Sequence, residues 1–302
     1  MKKYYLDQAR LMLRLLPHVA AEESFALKGG TAINFFVRDM PRLSVDIDLT
    51  YLPIEPRPQS LRGISAALLR IKKAIMRASP DFNVHESKTD GIVIKLVVRS
   101  PTTEVKVEPN TVIRGSISGA TMRELSKKAR ATFATATTVR VLSEAELFGG
   151  KICAALDRQH PRDLFDVKLL LDGPGLTEEI RKAFLVYLIS HDRPMHEIID
   201  PTRKDVRATF ESEFKEMTAE PVEYEALVEA RERLISQLKA DLTKAEKEFL
   251  LSVKEGAPDW KLLGLAGVER LPAVQWKLKN IGKMAPAKRK EQLGKLREKL
   301  GA

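Results

Sequence analysis

The sequence predicts an α+β protein with a mixed-sheet N-terminal domain over residues 1–140 and a helical C-terminal domain over residues 141–302. Two observations carry this expectation. Before about residue 110, apolar residues recur partly at helical spacing and partly with strand alternation, whereas beyond about residue 140 only the helical period remains. The 302 residues, 44% of them hydrophobic, are enough for two ordinary domains with buried cores.

The elements follow in order. Residues 5–20 place Leu11, Leu13, Leu15, Leu16 and Val19 at helical spacing. Phe25, Ala26 and Leu27 form a short apolar run that ends at Gly29-Gly30. Thr31 then reads as the N-cap of a short helix through Phe36. From Val45 to Leu52 the apolar residues Val45, Ile47 and Leu49 alternate with Asp46 and Asp48, which is strand period. Residues 62–78 form a basic amphipathic helix. Three strands are expected at 82–87, 92–99 and 104–108, separated by turn signals at Asp90-Gly91 and Ser100-Pro101.

In the second half, Ser143 with Glu146 three residues on reads as a capping box for a helix through Leu156. Pro161 opens a helix that stops at Asp172-Gly173-Pro174-Gly175. Residues 177–189 and 222–251 read as further helices, as does the basic C-terminal segment.

Composition excludes several classes. A lone Cys153 rules out a disulfide scaffold and a cysteine-based zinc site, and it fits a reducing cytoplasm. Asp7, Arg10 and Arg14 interrupt any apolar run after the basic N-terminus, and no stretch approaches the ~18 apolar residues of a membrane span. The expected location is cytoplasmic, with no membrane partner. The net charge is +10, and residues 261–302 hold eleven Lys/Arg against three Glu, a net of +8. Such a segment points to an anionic partner, most simply nucleic acid, or to a solvated face.

The chemistry centres on acidic residues. Asp46 and Asp48 lie two apart on a strand, so both carboxylates leave one face with Cα atoms roughly 7 Å apart. Carboxylates that close repel one another unless a cation lies between them, and a hard divalent ion bound through oxygens suits the position. Upstream, Leu27-Lys28-Gly29-Gly30-Thr31 places a two-glycine turn and a hydroxyl at a helix start, where a phosphate can approach the backbone. Downstream, Glu104, Lys106 and Glu108 alternate along a strand, and Glu108 is the preferred third carboxylate. A phosphate cradle, a metal pair and a third acid are the parts of metal-assisted phosphoryl or nucleotidyl transfer.

Gly29-Gly30-Thr31 followed by Asp46-Ile47-Asp48-Leu49 resembles the first motif of the DNA-polymerase-β-type nucleotidyltransferase superfamily, and more closely the AbiEii/AbiGii-type toxin family. That family includes the MenT toxins of bacterial type IV toxin–antitoxin systems. The stretches Glu144-x-Glu146 … Lys151–Arg158, Pro161–Val167, Glu248–Ser252, Pro258-Asp259-Trp260 and Gly267–Ala273 are similar to it as well, so the resemblance spans nearly the whole chain.

The resemblance implies a nucleotidyltransferase-type fold and Mg²⁺, with Mn²⁺ as a substitute, held by Asp46 and Asp48 with Glu108 as the third ligand. Gly29, Gly30 and Thr31 would lie at the triphosphate and Lys151 would neutralise its charge. Asp166 would serve the acceptor or orient Lys151, with Asp163 as the rival for that role. Two departures stand out: Thr31 replaces the usual Ser, and fourteen residues separate it from Asp46, which implies a loop insertion. The implied activity is transfer of NMP from an NTP to RNA, with the 3′ end of tRNA as the leading acceptor, by a toxin that has a separately encoded antitoxin.

Two other readings compete with it. The same fold and metal centre could act on a protein or small molecule, which gives no reason for the +8 segment. A non-catalytic module binding nucleic acid or a partner would make three separated motifs coincidental. Among the remaining residues, His18, His85, His160, His191 and His196 show no ligand spacing. Cys153, Phe35 and Phe36 read as packing residues, and Trp260 and Trp276 as anchors between short helices.

Overall fold

The computed structural model describes residues 3–301; Met1, Lys2 and Ala302, at the two ends of the segments read above, lie outside them. The chain divides into two compact units. One comprises the residues through Leu147 with Glu213–Val222, the other Phe148–Ser212 with the residues from Glu223 on.

The first unit is built on a seven-stranded mixed sheet. Helix α1 (Lys3–Ala20) buries the stripe of Leu11, Met12, Leu15, Leu16 and Val19. Strand β1 (Phe25–Lys28) leads directly into α2 (Gly29–Ala32), which continues as a π-helical turn over Ile33–Val37. Strand β2 (Ile47–Tyr51) is followed by α3 (Arg57–Ala78). Strands β3 (Asn83–Thr89), β4 (Ile92–Arg99) and β5 (Glu104–Asn110) follow, with the β3–β4 turn at Asp90-Gly91. Strand β6 (Ala120–Glu124), α4 (Lys127–Phe133) and β7 (Thr138–Leu142) complete the sheet, in the order β3-β4-β5-β2-β1-β7-β6. The pairs β2–β5 and β1–β7 are parallel and the others antiparallel. The α+β expectation therefore holds, and β6, α4 and β7 are elements that the sequence reading passed over.

Strand β2 is the middle of the seven strands; its Ile47 and Leu49 are sealed in the core, while Asp48 within it and Asp46 just before it are half-buried. Segment 213–222 joins this unit by pairing Arg42 with Thr218, and Leu43 N donates to Met217 O at 2.9 Å.

The second unit is helical. Helix α5 (Glu144–Arg158) begins in the first unit and carries Lys151. It is followed by α6 (Pro161–Leu171), α7 (Glu178–Ser190), α8 (Met195–Ile199) and α9 (Arg207–Glu213). Helices α10 (Tyr224–Asp241), α11 (Lys244–Glu255), α12 (Trp260–Leu263), α13 (Pro272–Gly282) and α14 (Pro286–Leu300) complete it.

The single helix expected over 222–251 is in fact two. Thr243 Oγ1 accepts from Glu246 N and the Glu246 carboxylate accepts from Thr243 N, so a complete capping box starts a new helix at Lys244. Gly149 permits a close approach of α5 to α7, since a Cβ there would lie 2.6 Å from Phe184 N. Among the described residues no helix is long and apolar enough to cross a membrane.

Candidate active site

The Gly29-Gly30 turn and the Asp-x-Asp strand are joined by backbone geometry. In the β1–β2 register Lys28 faces Asp48, so the turn leaves β1 directly beside that carboxylate. Gly29 adopts φ +71°, and a Cβ there would meet Asp48 Oδ2 at 2.5 Å. Only glycine combines that left-handed conformation with so close a carboxylate. Gly30 is buried under Arg42 and Ser44, whose Nη2 and Oγ would lie 2.7 and 2.9 Å from an added Cβ.

Thr31 differs from its expected role. The helix starts at Gly29 with Lys28 as its N-cap, so Thr31 lies inside the first turn and caps nothing. It is 1% exposed and its hydroxyl donates to the Asp46 carbonyl at 2.6 Å. This bond ties the glycine turn to the start of the Asp-x-Asp strand, across the fourteen intervening residues. Phe35 and Phe36 are buried, as packing residues should be.

The parallel β2–β5 register sets Glu108 beside Asp48. Glu108 is half-exposed and bridges to Lys95 at 3.3 Å. Among the described residues no group of three or more His, Cys, Asp or Glu is gathered as a metal cluster. The donor chemistry of Asp46 and Asp48 nevertheless fits a hard divalent cation, because both are half-buried carboxylates, Asp46 just before β2 and Asp48 within it, and Asp48 lies against the side-chain-free turn at Gly29.

In the second unit Lys151, 6% exposed, donates to Asp163 Oδ1 at 2.8 Å and bridges Asp166 Oδ2 at 3.0 Å. Arg158 completes the group with Nε 2.5 Å from Asp163 Oδ2 and Nη2 3.1 Å from Oδ1. Burial alone would raise the Asp163 carboxyl, but Lys151 and Arg158 overcome it and hold it well below the usual carboxylate range. Asp163 and Asp166 were rivals for one role in the sequence, and the structure brings both to Lys151. Three residues apart on α6, they face the same side. Arg158 was within the quoted motif but drew no attention, because nothing local marks a partner five residues away across a helix break. Cys153 is buried and burial pushes its thiol up to about 12, in keeping with a packing role.

Glu146 also departs from expectation. Ser143 Oγ accepts from Glu146 N, but the carboxylate does not return to the Ser143 backbone. It accepts from Ser116 Oγ at 2.5 Å, from Ile117 N and Ser118 N at 3.1 Å, which pins the 116–118 loop, and more weakly from Ser143 Oγ at 3.5 Å.

The basic C-terminal segment is partly structural. Lys277 is buried and donates to the carbonyls of His191 and Arg193, both at 2.6 Å. Lys299 is 3.0 Å from Asp200, and Lys295 and Arg297 pair with Glu291 and Glu255. Lys288 and Lys290 are exposed. Trp260 packs at a tilt against Phe249, but Trp276 is 46% exposed and anchors less than expected.

A mixed sheet whose inner strand carries Asp-x-Asp, clasped by a glycine turn at a helix start, is the layout of a nucleotidyltransferase. Comparison with known proteins agrees: the profile described as "Nucleotidyl transferase AbiEii toxin, Type IV TA system" matches residues 10–280. The chain belongs to this AbiEii family of nucleotidyltransferase toxins. Among solved structures it is similar to MenT4, a nucleotidyltransferase toxin from Mycobacterium tuberculosis H37Rv, with a TM-score of 0.57 and 16% identity over 93% of this chain and 95% of that one. No curated protein matches at a significant level.

Proposed function

We propose that the chain is a Mg²⁺-dependent toxin that transfers NMP from an NTP to an RNA hydroxyl, with the 3′ end of tRNA as the leading acceptor, and that it works in the cytoplasm under the control of a cognate antitoxin. The observation that carries this reading is the join between the Gly29-Gly30-Thr31 turn and the Asp46–Asp48 strand through the Thr31–Asp46 bond. In the transfer the acceptor oxygen attacks the α-phosphorus, the bond to the bridging oxygen of pyrophosphate breaks, and the acceptor loses its proton. Asp46 and Asp48 would hold the cation, with Glu108 as third ligand, and the cation would offset charge on the transferring phosphoryl group.

The catalytic domain is assigned to residues 1–140, with Gly29, Gly30 and Thr31 at the triphosphate. Because the Thr31 hydroxyl is engaged with Asp46, backbone amides are the donors available at that turn. Residues 141–302 are assigned to a helical domain that supplies Lys151 for triphosphate charge. Asp166, 3.0 Å from Lys151, is assigned to position it or to serve the acceptor, and Asp163, at 2.8 Å and shared with Arg158, is its rival for that role. The direct test is labelling of total tRNA with radioactive NTPs. Asp46→Ala should abolish both labelling and growth inhibition; a variant that keeps either refutes the mechanism.

A second reading, a protein or small-molecule acceptor, is favoured by the structural engagement of Lys277, Lys295, Arg297 and Lys299. Salt dependence separates the two, since each phosphate contact releases counterions and a small neutral acceptor shows no such slope.

A further inference from the structure

Arg114 is a buried cation that forms no ion pair among the described residues. Its side chain is 4% exposed, and Nε and Nη1 are sealed from solvent with no hydrogen-bond partner. A buried charge left unpaired is costly, so proteins rarely keep one that nothing meets. The surrounding loop is firmly held: Asn110 Oδ1 accepts from Val112 N and Ile113 N, and Gly115 N donates to Tyr51 O at 2.8 Å. Arg114 therefore sits beside the C-terminal end of β2, about 10 Å along the strand from Asp48.

The same loop meets the start of α3, where Arg57 Nη1 donates to Thr111 O at 3.2 Å. Helix α3 is 22 residues long and its N-cap is Pro56, which supplies no side-chain oxygen. The amides of Arg57 and Gln59, on either side of Pro58, and the helix dipole add positive potential beside two arginines. The neighbouring carboxylate is Glu55, and its two oxygens accept from Tyr51 Oη and Gln59 Nε2, while no ion pair joins it to Arg114. Burial pushes the Arg114 guanidinium below its ordinary value and the Arg57 charge pushes it further, against smaller opposite effects from Tyr51 and Glu55.

We infer that Arg114, with Arg57 and the N-terminus of α3, forms a binding site for a phosphate group at the far end of β2 from the Asp46 and Asp48 carboxylates. Guanidinium groups and helix N-terminal amides present several donors to a tetrahedral phosphate group, monoester or diester. The phosphate belongs either to a polynucleotide strand or to a nucleotide.

The test is thermal unfolding of the full chain at constant ionic strength, titrated with inorganic phosphate, and with acetate and chloride as controls. The wild type should show a saturable rise in Tm with phosphate alone. Arg114→Met should need at least ~10-fold more phosphate for the same rise, and in phosphate-free buffer it should be no less stable than the wild type. Arg57→Gln, an exposed change that leaves the core intact, should weaken the phosphate response in the same direction. An unchanged response in both variants overturns the site, as does an equal response to acetate. A loss of stability in phosphate-free Arg114→Met also overturns it, because the guanidinium would then be compensated from within. ATP in the presence of EDTA and a short oligoribonucleotide identify the source: weaker oligoribonucleotide binding with ATP unchanged assigns a strand phosphate, and the converse assigns a nucleotide. The titration bypasses Asp46 and Asp48, so failure of the proposed catalytic reading leaves it standing.

Discussion

Gly29 carries the steepest local demand in the first unit, because its φ of +71° and its 2.5 Å Cβ approach to Asp48 Oδ2 leave no place for a side chain. Gly29→Ala should cost about 1–2 kcal/mol from the left-handed conformation alone, more once Asp48 is displaced, and urea unfolding reads it. Thr31 acts through Asp46. Thr31→Val should lower kcat roughly 10–100-fold, as loss of a group that orients the proposed metal ligand Asp46 would, with KM for NTP little changed. Thr31→Ser should restore kcat, whereas a merely structural hydroxyl would move Tm instead. Lys151 neutralises two buried carboxylates. Lys151→Met should destabilise by roughly 3–5 kcal/mol, the cost of breaking a buried pair from one side, seen as a lower urea midpoint.

At the scale of elements, local signals were legible wherever neighbouring residues sufficed. The alternation around Asp46 and Asp48 marked β2, and Asp90-Gly91 marked the β3–β4 turn, because period and turn chemistry are properties of a few adjacent residues. The break between α10 and α11 was also written locally, as Thr243 and Glu246, but a continuous helical period concealed it. Thr243→Ala should cost about 1 kcal/mol, measurable as a Tm decrease. Ser143 and Glu146 show the reverse: the same spacing forms only half a box, since burial and the Ser116–Ser118 loop draw the Glu146 carboxylate away. Spacing announces a cap, but competing donors decide it.

For the whole molecule, pH dependence follows from the buried acids. Asp163 lies below the ordinary range through Lys151 and Arg158, and Asp200 does so through Arg203, Lys299 and Lys239, in both cases against burial. A lowered folded pKa contributes stability that is present above the unfolded value, near 4, and is lost as pH falls through the folded one. Acid unfolding should therefore steepen below about pH 4, and Asp200→Asn should flatten that limb in a urea series. Glu146 has the opposite sign, because burial raises it despite its hydrogen bonds, so its contribution declines as pH rises through its folded value. Lys288 and Lys290 are exposed, with Arg289 between them, and form one cluster of the basic segment open to a polyanion, beside the exposed Lys261, Arg270, Lys279 and Lys283. Reversing all three to Glu should reduce the salt slope of RNA binding by about 2 if each meets a single-strand phosphate, with NTP binding intact. Equal loss of both would refute a role for the segment.

What the sequence determined by itself is the fold class, most of the first sheet's strands, and the motif chain from Gly29-Gly30-Thr31 through Asp46-x-Asp48 to Lys151. Each of these is written in residues close together in the chain. Tertiary structure alone decided that Thr31 binds Asp46 rather than capping a helix, that Asp163, Asp166 and Arg158 gather around Lys151, and that Lys277 and Lys299 serve packing and pairing. It alone also left Nε and Nη1 of Arg114 buried with no hydrogen-bond partner. The physical reason is the same in each case: a polar group's partner is chosen by which distant donors and acceptors the fold buries beside it, and no local pattern encodes that choice.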